Sequence, residues 1–416
     1  MKYKHRLITE KLHTLMQHFA VVVISGARQV GKSTLLEHTF PTYQRVVFDP
    51  VVDVGNARQD PELFLQNHTT PLILDEIQYC PELVAVIKRA VDTNNAPGRF
   101  ILTGSQQWSV LKSISESLAG RAVFLDLEGF TLGEIAECTT ATSWILRYLD
   151  GPESFLSDVA HSSDAAFIPN TRTLYETLWR GWLPKVDSLP VDIIPDYYAA
   201  YVRTYVERDV RVMLSVGDWQ QFGRFVQLCA ALSAQEVNFS QLGRDISVTP
   251  QTANRWLSVL KATFQWYEIP AFHGNTIKRI SAKPKGYFAD TGLICHLNRI
   301  SSPRALGGHP MTGAMFETAV IGEIRKRLQP VSAKPQMYHW RIHNGAEVDL
   351  LLERDGMLFP IEIKLNSRPK PKDARGFQSL RAAYPNLQIA PGLVICPCTT
   401  VEQLTPDAYT VPWNLQ

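Results

Sequence analysis

Short, solid apolar runs rich in β-branched residues recur through the first third of the chain. They lie at Phe19 to Ile24, Arg45 to Asp49, Leu72 to Ile77, Arg99 to Ser105 and Ala122 to Leu127, and read as buried parallel strands. Helical patterns separate them, the first opening at Ser33-Thr34-Leu35-Leu36-Glu37-His38. Strands alternating with helices predict an α/β fold, a parallel sheet covered on both faces. From Thr131 to about Leu214 the pattern is mainly helical, interrupted at Gly151-Pro152, at Pro169-Asn170 and between Pro184 and Pro195. Tyr205 to Arg211 reads as a charged, solvated helix face. Farther on, Ser240 is placed to cap a helix from Gln241 to Ile246, and Ser247-Val248-Thr249-Pro250 turns the chain. A second helix, Gln251 to Phe264, carries apolar residues at Trp256, Leu257, Leu260 and Phe264. Phe264 to Ala271 alternates as a strand, and after a Gly-Asn turn Lys278, Arg279, Lys283 and Lys285 are expected on a basic hairpin. In the last third, Asn344 to Leu350, a turn around Arg354-Asp355-Gly356, and Ile361 to Lys364 read as a β-hairpin. These changes of rhythm divide the chain at 1–130, 131–215, 216–300 and 301–416.

Composition adds limits. With 416 residues, 45% hydrophobic and 20% charged, the chain has room for several ordinary globular cores. A net charge of +2 neither supports nor excludes nucleic acid, because binding needs a local basic face. No apolar run approaches the ~18 residues that span a bilayer, and the apolar stretch before Ser25 runs straight into a glycine-rich loop, unlike a signal peptide. The six cysteines have neither the paired spacing of a zinc site nor the density of a disulfide framework. No membrane association, and a cytoplasmic location with reduced thiols, are therefore expected.

The candidate chemistry sits at the ends of the expected strands. Gly26-Ala27-Arg28-Gln29-Val30-Gly31-Lys32-Ser33 fits the phosphate-binding pattern G-x-x-x-x-G-K-[ST] between a strand and a helix start. Its glycines admit backbone N–H groups to a polyphosphate, Lys32 reaches the outer phosphates, Ser33 can ligate magnesium, and Thr34 continues into the helix. Leu72-Ile73-Leu74-Asp75-Glu76 ends a hydrophobic strand in two acids, the Walker B arrangement. Asp75 is expected to hold the magnesium through Ser33 and water, and Glu76 to activate the attacking water. Leu102-Thr103-Gly104-Ser105, with Gln106 and Gln107 after it, places Ser105 as a water-positioning residue or as turn chemistry. ATP and magnesium are the cofactors implied.

Taken together, Gly26 to Ser33, Leu72 to Glu76, Leu102 to Ser105 and Leu118-Ala119-Gly120-Arg121 resemble the AAA+ ATPase superfamily. By that resemblance Arg121 matches an arginine finger completing a neighbour's site, which implies a homo-oligomer, a ring such as a hexamer. The residue-level alternative is a surface arginine at a helix end. Arg180-Gly181-Trp182-Leu183-Pro184 resembles a lid element that touches adenine, with Trp182 where relatives carry glycine.

Two further constellations concern what an ATPase could act upon. The polar face of the second helix, with Thr252, Asn254 and Arg255, together with Lys278, Arg279, Lys283 and Lys285, suits a winged helix contacting DNA, or one used for packing. Asp349, Glu362 and Lys364 fit a PD-(D/E)XK nuclease site: two carboxylates for magnesium and a lysine for the water, with Glu317 of the helix around Met315 to Thr318 as a further acid. A solvated, charge-alternating hairpin is the plain alternative. Over nearly its whole length the chain resembles a family of prokaryotic ATPases joining an AAA+ module, a winged helix and a restriction-endonuclease-like C-terminal domain. Lys283-Pro284-Lys285-Gly286-Tyr287-Phe288-Ala289-Asp290-Thr291-Gly292-Leu293 contributes to that likeness. It implies ATP binding and a DNA connection and leaves the biological role open. The coexistence of phosphate loop with Walker B, basic winged helix and clustered acids leads to the expectation of an oligomeric, magnesium-dependent ATP hydrolase that remodels or translocates DNA, branched DNA included, as a helicase would, with cleavage by the C-terminal domain left open. The competing expectation is a nucleotide-switched regulator acting on a protein partner, its nuclease-like domain inert.

Overall fold

The computed structural model describes residues 2–104, 118–138, 143–161, 167–169, 172–204, 219–342 and 345–416. They form two compact units: Met1–Phe130, Leu183–Ser188 and Leu260–Gln265 make one, and Thr131–Trp182, Leu189–Val259 and Trp266–Gln416 the other. Ser105, Gln106, Gln107, the charged stretch Tyr205 to Arg211, Asn170 and Asn344 lie outside the described residues.

The first unit is a parallel sheet in the order β2-β3-β4-β1-β5. Its strands are β1 (Val21–Ser25), β2 (Gln44–Val47), β3 (Leu72–Asp75), β4 (Phe100–Gly104) and β5 (Ala122–Asp126). The helices α1 (Thr9–His18), α2 (Lys32–Thr39), α3 (Pro61–Gln66) and α4 (Leu83–Thr93) accompany them. Each expected strand is present, with ends moved by a residue or two for local reasons. Phe19 caps the end of α1 and is 37% exposed, so the first strand starts later than its apolar run. β3 stops at Asp75 because Glu76 turns left-handed, φ 60° and ψ 44°, and breaks the pleat. Val21, Val23, Leu72, Leu74, Phe100 and Leu102 pack with Leu83, Ile87 and Val91 of α4 into one core. Burying each such side chain contributes about 1.5–3 kcal/mol.

In the second unit, α5 (Leu174–Arg180), α6 (Trp219–Ala231), α7 (Phe239–Asp245) and α8 (Pro250–Ala262) as far as Val259 precede or flank a small antiparallel sheet. That sheet has the order β6-β8-β7, from β6 (Gln235–Glu236), β7 (Trp266–Ile269) and β8 (Lys285–Phe288). The two-helix pattern is realised with a different cap: the Asn238 side chain, not Ser240, accepts the Gln241 N–H at 3.2 Å. Trp256 of α8 meets Phe222 and Phe225 of α6 edge-on, 5.5 Å from each. The expected basic hairpin does not form. Lys278 and Arg279 fall on a short helix, α9 (Thr276–Ser281), and Lys285 is buried as the first residue of β8. α9 leaves Ile277 77% and Ile280 82% exposed.

Later in the chain come α10 (Thr291–Leu297), α11 (Thr312–Arg327) and α12 (Arg375–Ala383). They accompany a mixed sheet in the order β14-β15-β13-β11-β10-β9, with β12 beside β11. Its strands are β9 (Gln336–Arg341), β10 (Glu347–Arg354), β11 (Met357–Ile363), β12 (Gln388–Ile389), β13 (Gly392–Cys396), β14 (Glu402–Thr405) and β15 (Ala408–Pro412). The expected hairpin is β10–β11, with Leu350 opposite Ile361 and the turn carried by Asp355 and Gly356 at φ 52° and 79°. Val348, Leu351, Leu358, Phe377, Leu380 and Val394 form its core.

Candidate functional site

At the carboxyl edge of the first sheet the glycine-rich loop runs from β1 into α2. A Cβ on Gly26 would lie 2.0 Å from the Leu127 carbonyl oxygen, so only glycine lets the loop leave the strand this way. Gly31, left-handed at φ 93°, sets the direction of α2. Lys32 is 6% exposed, and its ammonium donates to the Gly26 and Ala27 carbonyls at 2.9 Å each. Arg28 reaches Tyr79 Oη at 3.2 Å, while Gln29 is left-handed and exposed and Val30 is buried.

Asp75 collects three donors. Ser33 Oγ donates to its Oδ2 at 2.7 Å, Arg45 Nη2 meets the same oxygen at 2.5 Å, and Thr103 Oγ1 donates to Oδ1. Burial raises the Asp75 pKa, but hydrogen bonds from Thr103 and Ser33 and the Arg45 guanidinium outweigh it and hold the pKa below its ordinary value. The left-handed turn at Glu76 brings its backbone N–H to Thr103 Oγ1 at 3.1 Å, and its carboxylate accepts from Gln78 Nε2. This donor set fits a hydrated magnesium: an ionised carboxylate and a serine hydroxyl already share one position.

Beside the loop lies a cavity of about 230 Å³ lined by Tyr3, Arg6, Gly31, Thr34, Phe130 and Pro184 among others. Tyr3 stacks on His38 with ring centroids 4.0 Å apart. Arg6, 4% exposed, donates to the Val30 carbonyl at 2.8 Å and to Glu128 at 2.6 Å, bracing the loop from the chain's first residues. Pro184, from the stretch that resembles a lid element, faces Gly31 here. Trp182 does not line this cavity: it is buried in the second unit under the Lys326 ammonium at 4.3 Å. Gly181 has a packing reason as well, since its Cβ would lie 2.4 Å from Asp290 Oδ1.

Arg121 sits at the amino edge of the sheet, just before β5, where Ala122 pairs with Val21. The loop leaves the other end of β1, five residues away, which is about 16 Å of strand. Arg121 pairs with Asp92 at the end of α4. Thr103, Arg45 and Arg6 were not singled out by the sequence. Arg45 stands opposite Ile73, so strand alternation points it along the Asp75 face, a relation visible only once β2 and β3 are paired.

The second candidate cluster is buried in the other unit. Glu317 comes from α11, Asp349 from β10, Glu362 from β11 and Lys364 from just beyond it. Asp349 Oδ2 accepts the Ile363 N–H at 3.0 Å, and Lys364 Nζ lies 2.5 Å from Glu362 Oε1. The structure thus brings together the four residues expected of a nuclease-like site. It also adds a residue assigned elsewhere: Lys285 is 8% exposed, with Nζ 3.0 Å from Glu317 and 3.2 Å from Asp349. It is therefore unavailable to a phosphate backbone. Tyr287, on the same face of β8, donates to Glu317 at 2.9 Å. Burial and the Asp349 charge push the Glu317 carboxyl up to about 7 and raise Glu362 well above its usual range. Among the described residues no group of three His, Cys, Asp or Glu side chains is arranged to hold a metal.

Of the other residues expected to meet DNA, Asn254, Arg255 and Lys283 are exposed and Thr252 is half-buried against Thr249, whose hydroxyl is 3.0 Å from its own. Arg279 packs over Phe272 at 4.5 Å and pairs with Glu353 at 3.1 Å.

Residues 18–136 match the AAA domain family. Residues 171–304 and 312–415 match two domains of unknown function, DUF8612 and DUF4143. An uncharacterized protein of Mycobacterium tuberculosis and one of Mycobacterium bovis are each 28% identical over 413 residues, 99% of this chain and 84% of theirs. A solved Walker-type ATPase of Pyrococcus abyssi is similar with a TM-score of 0.41 and 16% identity, covering 70% of this chain and 94% of its own. The first unit carries an AAA-type P-loop ATPase domain. No helix among the described residues is long and apolar enough to cross a membrane.

Proposed function

We propose that the protein is a magnesium-dependent ATPase that works as an oligomer and couples hydrolysis to DNA. The observation that supports hydrolysis most directly is the Asp75–Glu76 corner, where Ser33 and Thr103 hydroxyls engage opposite oxygens of Asp75 and the turn sets Glu76 beside it. Magnesium supplies charge neutralisation on the phosphates when bound. Lys32 trades two carbonyls for phosphate oxygens, and Glu76 takes the proton of the attacking water. The cavity by Tyr3 and Phe130 suits the base. Arg121 lies too far along the sheet to serve its own loop, which favours action on a neighbouring subunit's nucleotide. Asn254, Arg255 and Lys283 offer the DNA contacts.

Cleavage is not part of this reading, because Lys285 stands among the acids a metal would need. The test is ATPase activity against linear, forked and four-way DNA at several salt concentrations. Stimulation that falls steeply with salt is expected. Turnover indifferent to every DNA at low salt refutes the DNA component and favours the regulator of a protein partner, a reading to which the exposed Ile277 and Ile280 also lend support.

A further inference from the structure

Arg45 reaches Asp75 from a strand that carries no part of either nucleotide motif. β2 is an edge strand of the first sheet, its residues exposed or half-buried, and it pairs with β3 so that Arg45 stands opposite Ile73. Alternation then sends the guanidinium along the strand face that ends in Asp75. Nη2 lies 2.5 Å from Asp75 Oδ2, the oxygen that also accepts from Ser33 Oγ at 2.7 Å, and Nη1 donates to Glu37 of α2. With Thr103 donating to Oδ1, both oxygens of Asp75 are engaged, and of these three donors only Arg45 brings charge. The pair of acids is unevenly placed: the Asp75 side chain is 1% exposed and that of Glu37 55%.

Two features mark the contact with Asp75 as one that yields. Arg45 Nε is buried and has no hydrogen-bond partner among the described residues, so the guanidinium gives up a hydrogen bond in order to reach Asp75. Glu37 already binds the other end of the guanidinium, and keeps it near the site when Asp75 is surrendered. A carboxylate that holds magnesium through water accepts hydrogen bonds from the metal-bound water, so Arg45 and the hydrated cation are rivals for Asp75 Oδ2. Without either cation, the buried carboxylate repels an arriving polyphosphate. Arg45 therefore supports nucleotide binding where metal is scarce and opposes metal where it is abundant. Both effects bring the metal-free and metal-bound affinities closer together.

We propose that Arg45 is the counter-ion that Asp75 exchanges for hydrated magnesium, and that it sets how strongly nucleotide binding depends on metal. The inference rests on the reading that the glycine-rich loop binds nucleotide, and adds to that site a residue that acts through Asp75.

The test uses the full chain and a fluorescent, non-hydrolysable ATP analogue, titrated in EDTA and in Mg2+. The quantity read is the ratio of the two dissociation constants, metal-free over metal-bound. Arg45→Met is expected to weaken metal-free binding and to raise the ratio by about tenfold or more, while Arg45→Lys, which keeps the charge, stays nearer the wild type. Glu37→Gln, which leaves the guanidinium to Asp75 alone, is expected to lower the ratio by about twofold. A folded Arg45→Met chain with the wild-type ratio overturns the proposal. Where Arg45→Met does not fold, Glu37→Gln decides, and an unchanged or larger ratio in it is the overturning result. A second arm contains no nucleotide and follows Mn2+ by electron paramagnetic resonance. Arg45→Met is expected to strengthen Mn2+ binding, and adding Asp75→Asn to abolish the gain; a folded Arg45→Met chain without that gain also overturns the proposal. A wild-type chain that binds no nucleotide with or without Mg2+ sinks the nucleotide reading, while the Mn2+ arm still decides on Arg45.

Discussion

Lys32 and Lys285 are buried to nearly the same degree, 6% and 8% exposed, yet their partners differ in kind. Lys32 donates to two carbonyls of its own loop, whereas Lys285 pairs with two carboxylates from separate elements. An ammonium held by carbonyls gains when a polyphosphate arrives, because charged acceptors bind it more strongly than amide oxygens. An ammonium held by carboxylates is already neutralised and loses on leaving. Burial alone therefore does not mark a ligand-binding lysine; the charge of what holds it does.

The largest expected effect tests the open site. Glu76→Gln should lower ATP turnover by roughly a thousandfold with nucleotide still bound, while Lys32→Ala should remove binding itself. Fluorescent-nucleotide titration beside phosphate release separates them, and equal loss of binding in both variants contradicts the division of roles. For the closed site, Lys285→Met should destabilise the fold by about 3–5 kcal/mol in chemical denaturation, since it strands buried carboxylates. A cost under about 1 kcal/mol would place Lys285 with ordinary surface pairs.

Acid should also distinguish the two regions. His339, on β9 with Nε2 3.1 Å from the Lys283 carbonyl, is pushed down to about 4, chiefly by burial. The folded state disfavours its proton, so its contribution is complete above about 6.5 and declines as pH falls towards 4. The loss amounts to about 3 kcal/mol, and His339→Phe should flatten that slope relative to wild type. The smallest stability effect belongs to the exposed Arg121–Asp92 pair, under about 1 kcal/mol on Arg121→Ala. Its activity, however, should recover in part when mixed with Lys32→Ala subunits; no recovery argues against a shared site.

What could be read directly from the residues was local. The loop from Gly26 to Ser33, the acids ending β3, the helix pair around Ser247 to Pro250 and the β10–β11 hairpin are each written in a short span whose periodicity, glycines or turn residues carry the geometry. The basic hairpin failed because charge spacing does not say whether a strand has a partner. Lys278 and Arg279 went to a helix and Lys285 to an interior strand.

The long-range partners were a different matter. Arg45 meets Asp75 from 30 residues away, Thr103 meets it from 28, and Lys285 meets Asp349 across 64. No pattern within a window encodes those pairs, since they arise from which strands lie side by side and which residues then share a face. The sequence thus located a glycine-rich loop of phosphate-binding pattern, the acids ending β3 and the acids on β10 and β11. Folding settled which cation each acid holds, because a carboxylate's partner is chosen by proximity in space and by the energy of leaving a buried charge alone.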